Sequence, residues 1–232
     1  MNSIPLESNM EWWWYKAKNN LLKYLTKDLY SSYEISILEI GPGLGNNLEY
    51  LNTIGIVDLL EADNNFIEYI KENHIKRFKT IFTSIDQVSK NYDLIIMLDV
   101  LEHIKDSKNF MKNVSTLLNK NGHLIIGVPA YKQLWSEHDE VLNHYRRYTW
   151  KSLEADCRGF DFVEKIGLNY LLLPVRYIQI KFSQKTSTVD DTGRFINFLL
   201  YAISLVEVIF RKIKIKPKFG ISLYAVLKND ID

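Results

Sequence analysis

The sequence predicts an α/β fold in which helices cover both faces of a mainly parallel sheet. Strand-like and helix-like segments alternate along the chain, which is typical of such sheets. Tyr92–Leu98 is almost continuously apolar, as expected for a strand buried on both faces. The first strand runs into a glycine-rich turn that opens a helix. A chain of 232 residues, 47% of them hydrophobic, can bury this fold as one domain spanning 1–232.

Seven stretches are predicted to be strands because they are short, rich in β-branched or aromatic residues and bounded by turn residues. Asn121-Gly122 is expected to turn the chain into the fifth of them. In chain order they are Ile35–Ile40, Ile56–Glu61, Thr80–Thr83, Tyr92–Leu98, His123–Pro129, Phe162–Leu168 and Ser222–Lys228.

Helices are predicted where apolar residues recur at helical spacing. Trp14, Ala17, Leu21 and Leu25 predict a first helix from about Met10 to Tyr30. Thr149 is a suitable N-cap for a short helix that Gly159 ends. Further helices are predicted around Phe66–Ile70, Phe110–Leu118 and Phe195–Phe210, and the apolar-poor Ser183–Gly193 is predicted to be a mobile loop.

Composition excludes several classes of protein. The net charge is +1, which gives no drive towards a nucleic-acid backbone, so no nucleic-acid partner is expected. The single cysteine, Cys157, excludes a disulfide framework and suits a reducing cytoplasm. The first residues lack the basic and apolar regions of a signal peptide, so we expect a cytoplasmic protein.

The first glycine-rich turn is the strongest functional signal. Gly41, Gly43 and Gly45 alternate in a GxGxG pattern, and Glu39 lies on the strand just before them. Glycines let a backbone approach a ligand that side chains would repel, although a tight strand–helix connection is the structural alternative. Dinucleotide-binding turns have the spacing GxGxxG. The difference favours S-adenosylmethionine (SAM), which carries a ribose and an amino acid but no phosphate.

A second acid supports this interpretation. Glu61 follows Gly41 by twenty residues, at the end of the second predicted strand. An acid in that place can accept hydrogen bonds from ribose hydroxyls. The alternative is that Glu61 is an ordinary solvent-exposed acid at the end of a strand.

Several motifs in order carry a resemblance to a known family. They are "EWWWYKAK", "LEIGPGLG", "YDLIIMLDVLEHIKD" with "NGHLIIGVPA", "LWSEHDEVLNHYRRYTWKSL" and the closing "FGISLYAVLKN". From end to end the chain resembles class I SAM-dependent methyltransferases. It is similar to bacterial methyltransferases that accompany surface-polysaccharide and glycolipid gene sets, and more distantly to ubiquinone-pathway O-methyltransferases. The resemblance implies a Rossmann-like seven-stranded sheet with the last strand antiparallel, an N-terminal helix, and a helical insertion or lid at 183–217.

The resemblance also implies a set of cofactor contacts. The glycine loop would pass under the methionine and ribose parts of SAM, and the backbone near Asp99 would face the amino group. Ser84 stands where many relatives have an acid for the adenine, and Lys18 lies in the region where relatives commonly have an arginine. The predicted cofactor-binding residues are Glu39, Gly41, Pro42, Gly43, Gly45, Glu61, Ala62, Asp63, Ser84, Ile85, Leu98, Asp99 and Lys18.

The segment after the fourth strand has two interpretations. Asp99 and Glu102 are spaced as the N-cap and N3 residues of a capping box, which would make both structural. His103 lies at the carboxyl edge of the sheet, where open α/β folds bind ligands. It could touch SAM or the methyl acceptor, or simply lie on a helix surface.

The run from Trp135 to Thr149 is expected at the same edge of the sheet. Two arginines among aromatic residues suit recognition of a planar anion, although a solvated charged loop is the alternative. Histidine side chains titrate near neutral pH, which suits His144 as a general base. His138 and His144 lack metal-ligand spacing and the sequence shows no Cys/His cluster, so no metal is expected. The predicted catalytic residues are His144 and His103, and the predicted substrate-binding residues are Trp135, Asp139, Tyr145, Arg146 and Arg147.

The apolar helix at 195–210 is shorter than the ~20 residues of a spanning helix and contains Asn197, Ser204 and Glu207. We expect this helix to be buried or interfacial. It could pack in the core, cover the acceptor as a lid, or contact the inner face of a membrane peripherally.

The sequence therefore predicts methyl transfer from SAM, leaving S-adenosylhomocysteine, to a small or lipid-linked acceptor in sugar, polysaccharide or glycolipid biosynthesis. One alternative is O-methylation of a quinone precursor or another phenol. Another is a non-catalytic membrane-associated scaffold with the same fold.

Overall fold

The computed structural model describes residues 13–30, 34–182 and 194–229. Its seven strands are β1 (Ile35–Ile40), β2 (Gly55–Leu60), β3 (Thr80–Phe82), β4 (Tyr92–Leu98), β5 (Leu118–Pro129), β6 (Phe160–Leu168) and β7 (Ser222–Asn229).

All seven predicted strands are present, and the largest difference is at β5, which begins at Leu118 rather than His123. Leu118 pairs with Tyr92 and His123 with Leu94, so residues 119–122 form an irregularity in the ladder. Asn121 has a left-handed φ of 67° there. The predicted turn at Asn121-Gly122 therefore exists as a bulge inside the strand.

The strands form one sheet in the order β3-β2-β1-β4-β5-β7-β6. β1 to β5 pair in parallel, whereas β7 is antiparallel to both of its neighbours. This is the class I methyltransferase sheet that the resemblance implied. Ser222 pairs with both Pro129 and Leu168, so β6 ends and β7 begins at the carboxyl edge of β5. The connection between them therefore emerges where the other parallel strands end.

Eight helices accompany the sheet in the part of the chain that the structure describes. Thr149 accepts a hydrogen bond from the Ser152 N–H, as predicted for an N-cap. Two of the helices, the fifth and the seventh, were not predicted. The helices are α1 (Trp13–Thr26), α2 (Leu48–Leu51), α3 (Asn64–His74), α4 (Ser107–Thr116), α5 (Glu137–Val141), α6 (Trp150–Asp156), α7 (Leu173–Phe182) and α8 (Arg194–Lys212).

The core lies in two layers because successive strand residues point to opposite faces of the sheet. Leu38 and Ile40 of β1 pack on the side of α4 and α6, whereas Ile37 packs on the side of α1, α2 and α3. A third, smaller cluster joins Trp13 of α1 to Leu172, just before α7, and to α8. α1 is thereby held against the connection between β6 and β7.

The predicted insertion at 183–217 differs from the structure at its start, because α7 already begins at Leu173. α8 matches the predicted apolar helix. Trp12 and the predicted mobile loop at 183–193 lie outside the described residues. Within the described chain, no helix has the combined length and apolarity that crossing a membrane requires.

Candidate functional site

The three glycines after β1 have left-handed φ angles but different surroundings. A Cβ on Gly41 would lie 2.5 Å from Val100 Cγ2, and one on Gly45 would lie 2.9 Å from Leu48 Cδ1. Gly43 has a φ of +55°, and a Cβ there would meet nothing within 4 Å. The left-handed backbone and the protein's own packing therefore disfavour a side chain at 41 and 45. Only Gly43 borders free space in which a ligand could lie.

Glu39 anchors the end of the glycine loop. Its carboxylate is buried and accepts a 2.7 Å hydrogen bond from Asn47 Nδ2, while Oε2 has no partner among the described residues. Burial raises the pKa of Glu39 to about 7. The sequence pointed to Glu39 but not to Asn47, which connects it to the start of α2.

Glu61 follows β2 and faces the same loop. Oε2 accepts a hydrogen bond from Gly43 N at 3.2 Å, and Oε1 accepts from Ala62 N and Asp63 N at 2.8 and 3.0 Å. Burial raises the pKa of Glu61 despite these bonds. Asp63 instead caps α3, because its side chain accepts from Asn65 N at 2.8 Å. Glu61 therefore closes the turn around Gly43, and ribose contacts by either acid stay predictions.

The predicted capping box after β4 is wrong. Asp99 has a left-handed φ of 54°, and residues 101–103 form a 3-10 turn rather than the start of a helix. The Asp99 carboxylate pairs with Lys18 Nζ, which also lies 4.6 Å from the centroid of the Trp14 ring. The left-handed turn carries Asp99 towards α1, so it does not reach the N–H groups that a cap would satisfy.

Glu102 is a site residue that the capping interpretation concealed. It is fully buried, and neither carboxylate oxygen has a hydrogen-bond partner among the described residues. Burial, with the negative charge of Asp99, raises its pKa well above the ordinary value. The only signal for this in the sequence was an acid inside the apolar run "VLEHI".

His144 is held by a buried ionic network. Its Nδ1 lies 2.9 Å from Asp139 Oδ1. Arg147 binds the same carboxylate through two nitrogens, at 2.7 and 3.0 Å, and Ser136 N donates to it at 2.9 Å. These bonds hold the pKa of Asp139 well below its usual range despite burial. Asp139 therefore stays ionised near neutral pH and can only accept hydrogen bonds.

An ionised Asp139 fixes which ring nitrogen of a neutral His144 carries the proton. Nδ1 of His144 must carry the proton that it donates, so Nε2 keeps its lone pair. The His103 ring meets the His144 ring edge to face, with centroids 4.6 Å apart. Burial and the neighbouring His144 lower the pKa of His103. Both predicted catalytic histidines therefore lie together.

These rings also approach Glu102, and the potential ligand atoms of the three residues all lie within 4.8 Å of one another. The sequence argument against a metal rested on the absence of a Cys/His cluster, and it did not foresee this grouping. It could not do so because Glu102 and His144 are far apart in the chain and meet only through the fold. That no metal is needed stays a prediction.

The two arginines of the "HYRRY" motif are bound within the protein. Arg146 donates to Ser107 Oγ at 2.6 Å and to the Lys105 carbonyl at 2.7 Å. Arg147 holds Asp139 and also donates to the Ala130 carbonyl at 3.2 Å. Their guanidinium groups thus fix the loop, and anion binding by either stays a prediction. Of the other predicted substrate contacts, Asp139 is buried, Trp135 is half-buried and Tyr145 is exposed.

The loops meet at the carboxyl edge of the sheet. Val100 lies against Gly41, which joins the turn after β4 to the glycine loop. Tyr145 N donates to the Glu102 carbonyl at 2.8 Å, which joins the histidine loop to the same turn. Ile85 lies in the 3-10 turn that follows β3 and packs against the core. The adenine contacts predicted for Ser84 and Ile85, and the contact at Leu98, stay predictions.

Comparison with known proteins identifies similar domains. A family model described as a methyltransferase domain matches residues 6–164. The ubiquinone biosynthesis O-methyltransferase of Rickettsia canadensis is 30% identical over 116 residues, which cover 45% of this chain and 49% of that protein. The chain thus spans about half the length of this relative and of the similar curated proteins from Rickettsia bellii.

Two solved structures share the fold over nearly the whole chain. The N-methyltransferase NodS from Bradyrhizobium japonicum, in complex with S-adenosylhomocysteine, has a TM-score of 0.56 at 14% identity and covers 99% of this chain and 90% of its own. A SAM-dependent methyltransferase from Clostridium acetobutylicum has a TM-score of 0.59 at 14% identity, with 92% and 91% covered.

Proposed function

The chain belongs to the methyltransferase-domain family, and we propose that it transfers a methyl group from SAM to a small or amphiphilic acceptor. The observation that carries the cofactor assignment is the free space beside Gly43, bordered by Glu61. In this proposal Glu61 accepts hydrogen bonds from the ribose hydroxyls there. S-adenosylhomocysteine is the expected product, since it differs from SAM only by the methyl group.

The donor group supplies a methyl carbon bonded to a positively charged sulfur, which is a good leaving group. The protein therefore has mainly to align the acceptor with that carbon and to remove a proton. Lys18 and the backbone at Leu98 and Asp99 would orient the amino-acid part, and Ser84 with Ile85 would receive the adenine. Gly43 keeps the space between these groups free of side chains.

His144 is the base in this proposal. Asp139 holds the Nδ1–H at 2.9 Å, so Nε2 accepts the proton as the acceptor oxygen or nitrogen bonds to the methyl carbon. The resulting imidazolium is stabilised by the ionised Asp139. Arg147 and Ser136 keep that carboxylate in position.

Two classes of acceptor remain. The family resemblance pointed to a sugar, polysaccharide or glycolipid, whereas the Rickettsia relative is named for ubiquinone biosynthesis and favours a quinone precursor or phenol. Because α8 exposes apolar side chains near the carboxyl edge, we also propose that 195–210 contacts a membrane peripherally. That placement, on the inner face of a membrane, would suit an amphiphilic acceptor of either class.

Transfer from labelled SAM to nucleotide sugars, glycolipids and phenols tests this function. We expect one class to accept label, and His144→Ala to abolish most of the transfer while S-adenosylhomocysteine still binds. Val141→Ala is the matched control, because Val141 is exposed on the neighbouring α5. A chain that binds neither SAM nor S-adenosylhomocysteine would be a scaffold, and full transfer by His144→Ala would exclude His144 as the base.

A further inference from the structure

The inward side of α8 carries polar residues as well as apolar ones. Leu200, Tyr201 and Ile203 pack against the cluster around Trp13, and Ser204, Glu207 and Arg211 are buried. The Glu207 carboxylate accepts hydrogen bonds from Asn169 N at 2.9 Å and from Leu171 N at 3.0 Å. These bonds attach α8 to the connection between β6 and α7. The side of α8 that carries Glu207 is thereby held inwards.

The opposite side of α8 is apolar and exposed. Phe198, Leu205 and Ile209 lie on one side of the helix. Phe198 and Leu205 are about two turns apart, and Leu205 and Ile209 are about one turn apart. Phe198 is 67% and Ile209 57% exposed. Surface helices normally place such residues towards the core. Here they face outwards, which indicates a partner that is itself apolar.

Other exposed apolar residues of α8 and of the segment that follows it extend this surface. We call the whole set the docking face: Ile196, Phe198, Leu199, Leu205, Val206 and Ile209 of α8, and Ile213 and Ile215 beyond it. Exposed apolar surface on this scale usually marks an interaction site.

The exposed charges described on α8 and the segment after it have one sign. Among the described side chains of 196–219, the exposed charged residues are Lys212, Lys214 and Lys218. The acid among those side chains, Glu207, is buried. Apolar side chains combined with lysines are typical of helices that lie in the headgroup region of an anionic bilayer.

We infer that the docking face binds the surface of a bilayer that contains anionic lipid, with α8 lying in the headgroup layer. This deepens the peripheral contact proposed above and rests on that part of the proposed function. A second copy of this chain fits less well, because a two-fold interface sets a patch against itself and would bring like-charged lysines together. The connection that carries α7 and α8 leaves the sheet at its carboxyl edge, so the bilayer would lie on that side of the molecule.

The experiment is co-sedimentation of the full chain with phosphatidylcholine vesicles, with and without phosphatidylglycerol. We expect binding to the anionic vesicles that weakens with salt. Phe198→Ser/Leu205→Ser/Ile209→Ser should reduce it at least about tenfold, because these side chains enter the headgroup layer. Lys212→Glu/Lys214→Glu should remove the preference for phosphatidylglycerol. Ile75→Ser is the control, since Ile75 is exposed beyond the end of α3.

Two further measurements separate this inference from the proposed catalysis. S-adenosylhomocysteine binding by the triple variant shows that it is folded, and methyl transfer to a soluble acceptor is measured without vesicles. Failure to bind anionic vesicles would overturn the inference while leaving the methyltransferase proposal intact. Equal binding of the wild type and the triple variant would also overturn it, as would a dimer that the triple variant disperses.

Discussion

Replacing Glu39 with glutamine should change how stability depends on pH. The pKa of Glu39 is raised from 4.5 to about 7 because the carboxyl is buried. At about 1.4 kcal/mol per pH unit, this difference corresponds to about 3 kcal/mol. The pKa of Glu39 is higher in the folded state than in the unfolded state, so the protonated carboxyl contributes to the free energy of unfolding. That contribution is fully present below pH 4.5 and is lost as the pH rises through 7. Glutamine resembles the protonated carboxyl and keeps an oxygen for Asn47.

Urea unfolding of both proteins at pH 5 and pH 8 measures this effect. We expect Glu39→Gln to gain about 2–3 kcal/mol relative to the wild type between the two pH values, because only the wild type must bury a charge at pH 8. Groups unaffected by the substitution cancel in the comparison. A difference between the proteins that stays constant within about 0.5 kcal/mol would show that Glu39 ionises normally and refute the reasoning.

Three other predictions concern single contacts. Glu61→Ala should weaken SAM binding at least about tenfold in calorimetry, because it removes charge-assisted hydrogen bonds worth about 1.5–3 kcal/mol each before water competes; a loss below about threefold would move the ribose contact to Asp63 or elsewhere. His144→Ala should lower turnover with SAM affinity nearly intact, and a parallel loss of affinity would place His144 on the cofactor instead. Gly45→Ala should cost about 1–3 kcal/mol in urea unfolding, because its Cβ would lie 2.9 Å from Leu48 and 3.0 Å from His74; an unchanged midpoint would show that the loop adapts freely.

The strands were predictable because their signals are local. Tyr92–Leu98 reads as buried on both faces, and it lies between β1 and β5 in the sheet. The importance of the three glycines was also predictable, but the different structural reason for each glycine was not. Gly41 is required by Val100, which belongs to a different loop. Contacts between loops depend on the order of the strands, which a single stretch of sequence does not encode.

The site residues were harder to interpret where one spacing fits two structures. Asp99 and Glu102 have the separation of a capping box, yet the left-handed backbone at Asp99 sends its carboxylate to Lys18. Arg146 or Arg147 was expected to bind a ligand anion. The sequence did not reveal that Arg147 binds the Asp139 carboxylate, and binding of a ligand anion by either arginine stays a prediction. α7 was missed because its apolar residues do not follow one buried side, and several of them are exposed.

The most direct test of the central claim is calorimetric titration of SAM and S-adenosylhomocysteine into Gly43→Val. Valine would enter the free space beside Glu61, so we expect a folded protein with no measurable binding of either compound. Gly159→Val is the matched control, because Gly159 also has a positive φ, +95°, and nothing within 4 Å of a Cβ. It should bear a similar strain of about 1–2 kcal/mol and bind both compounds like the wild type. Unchanged affinity in folded Gly43→Val would contradict the assignment of the cofactor to this loop.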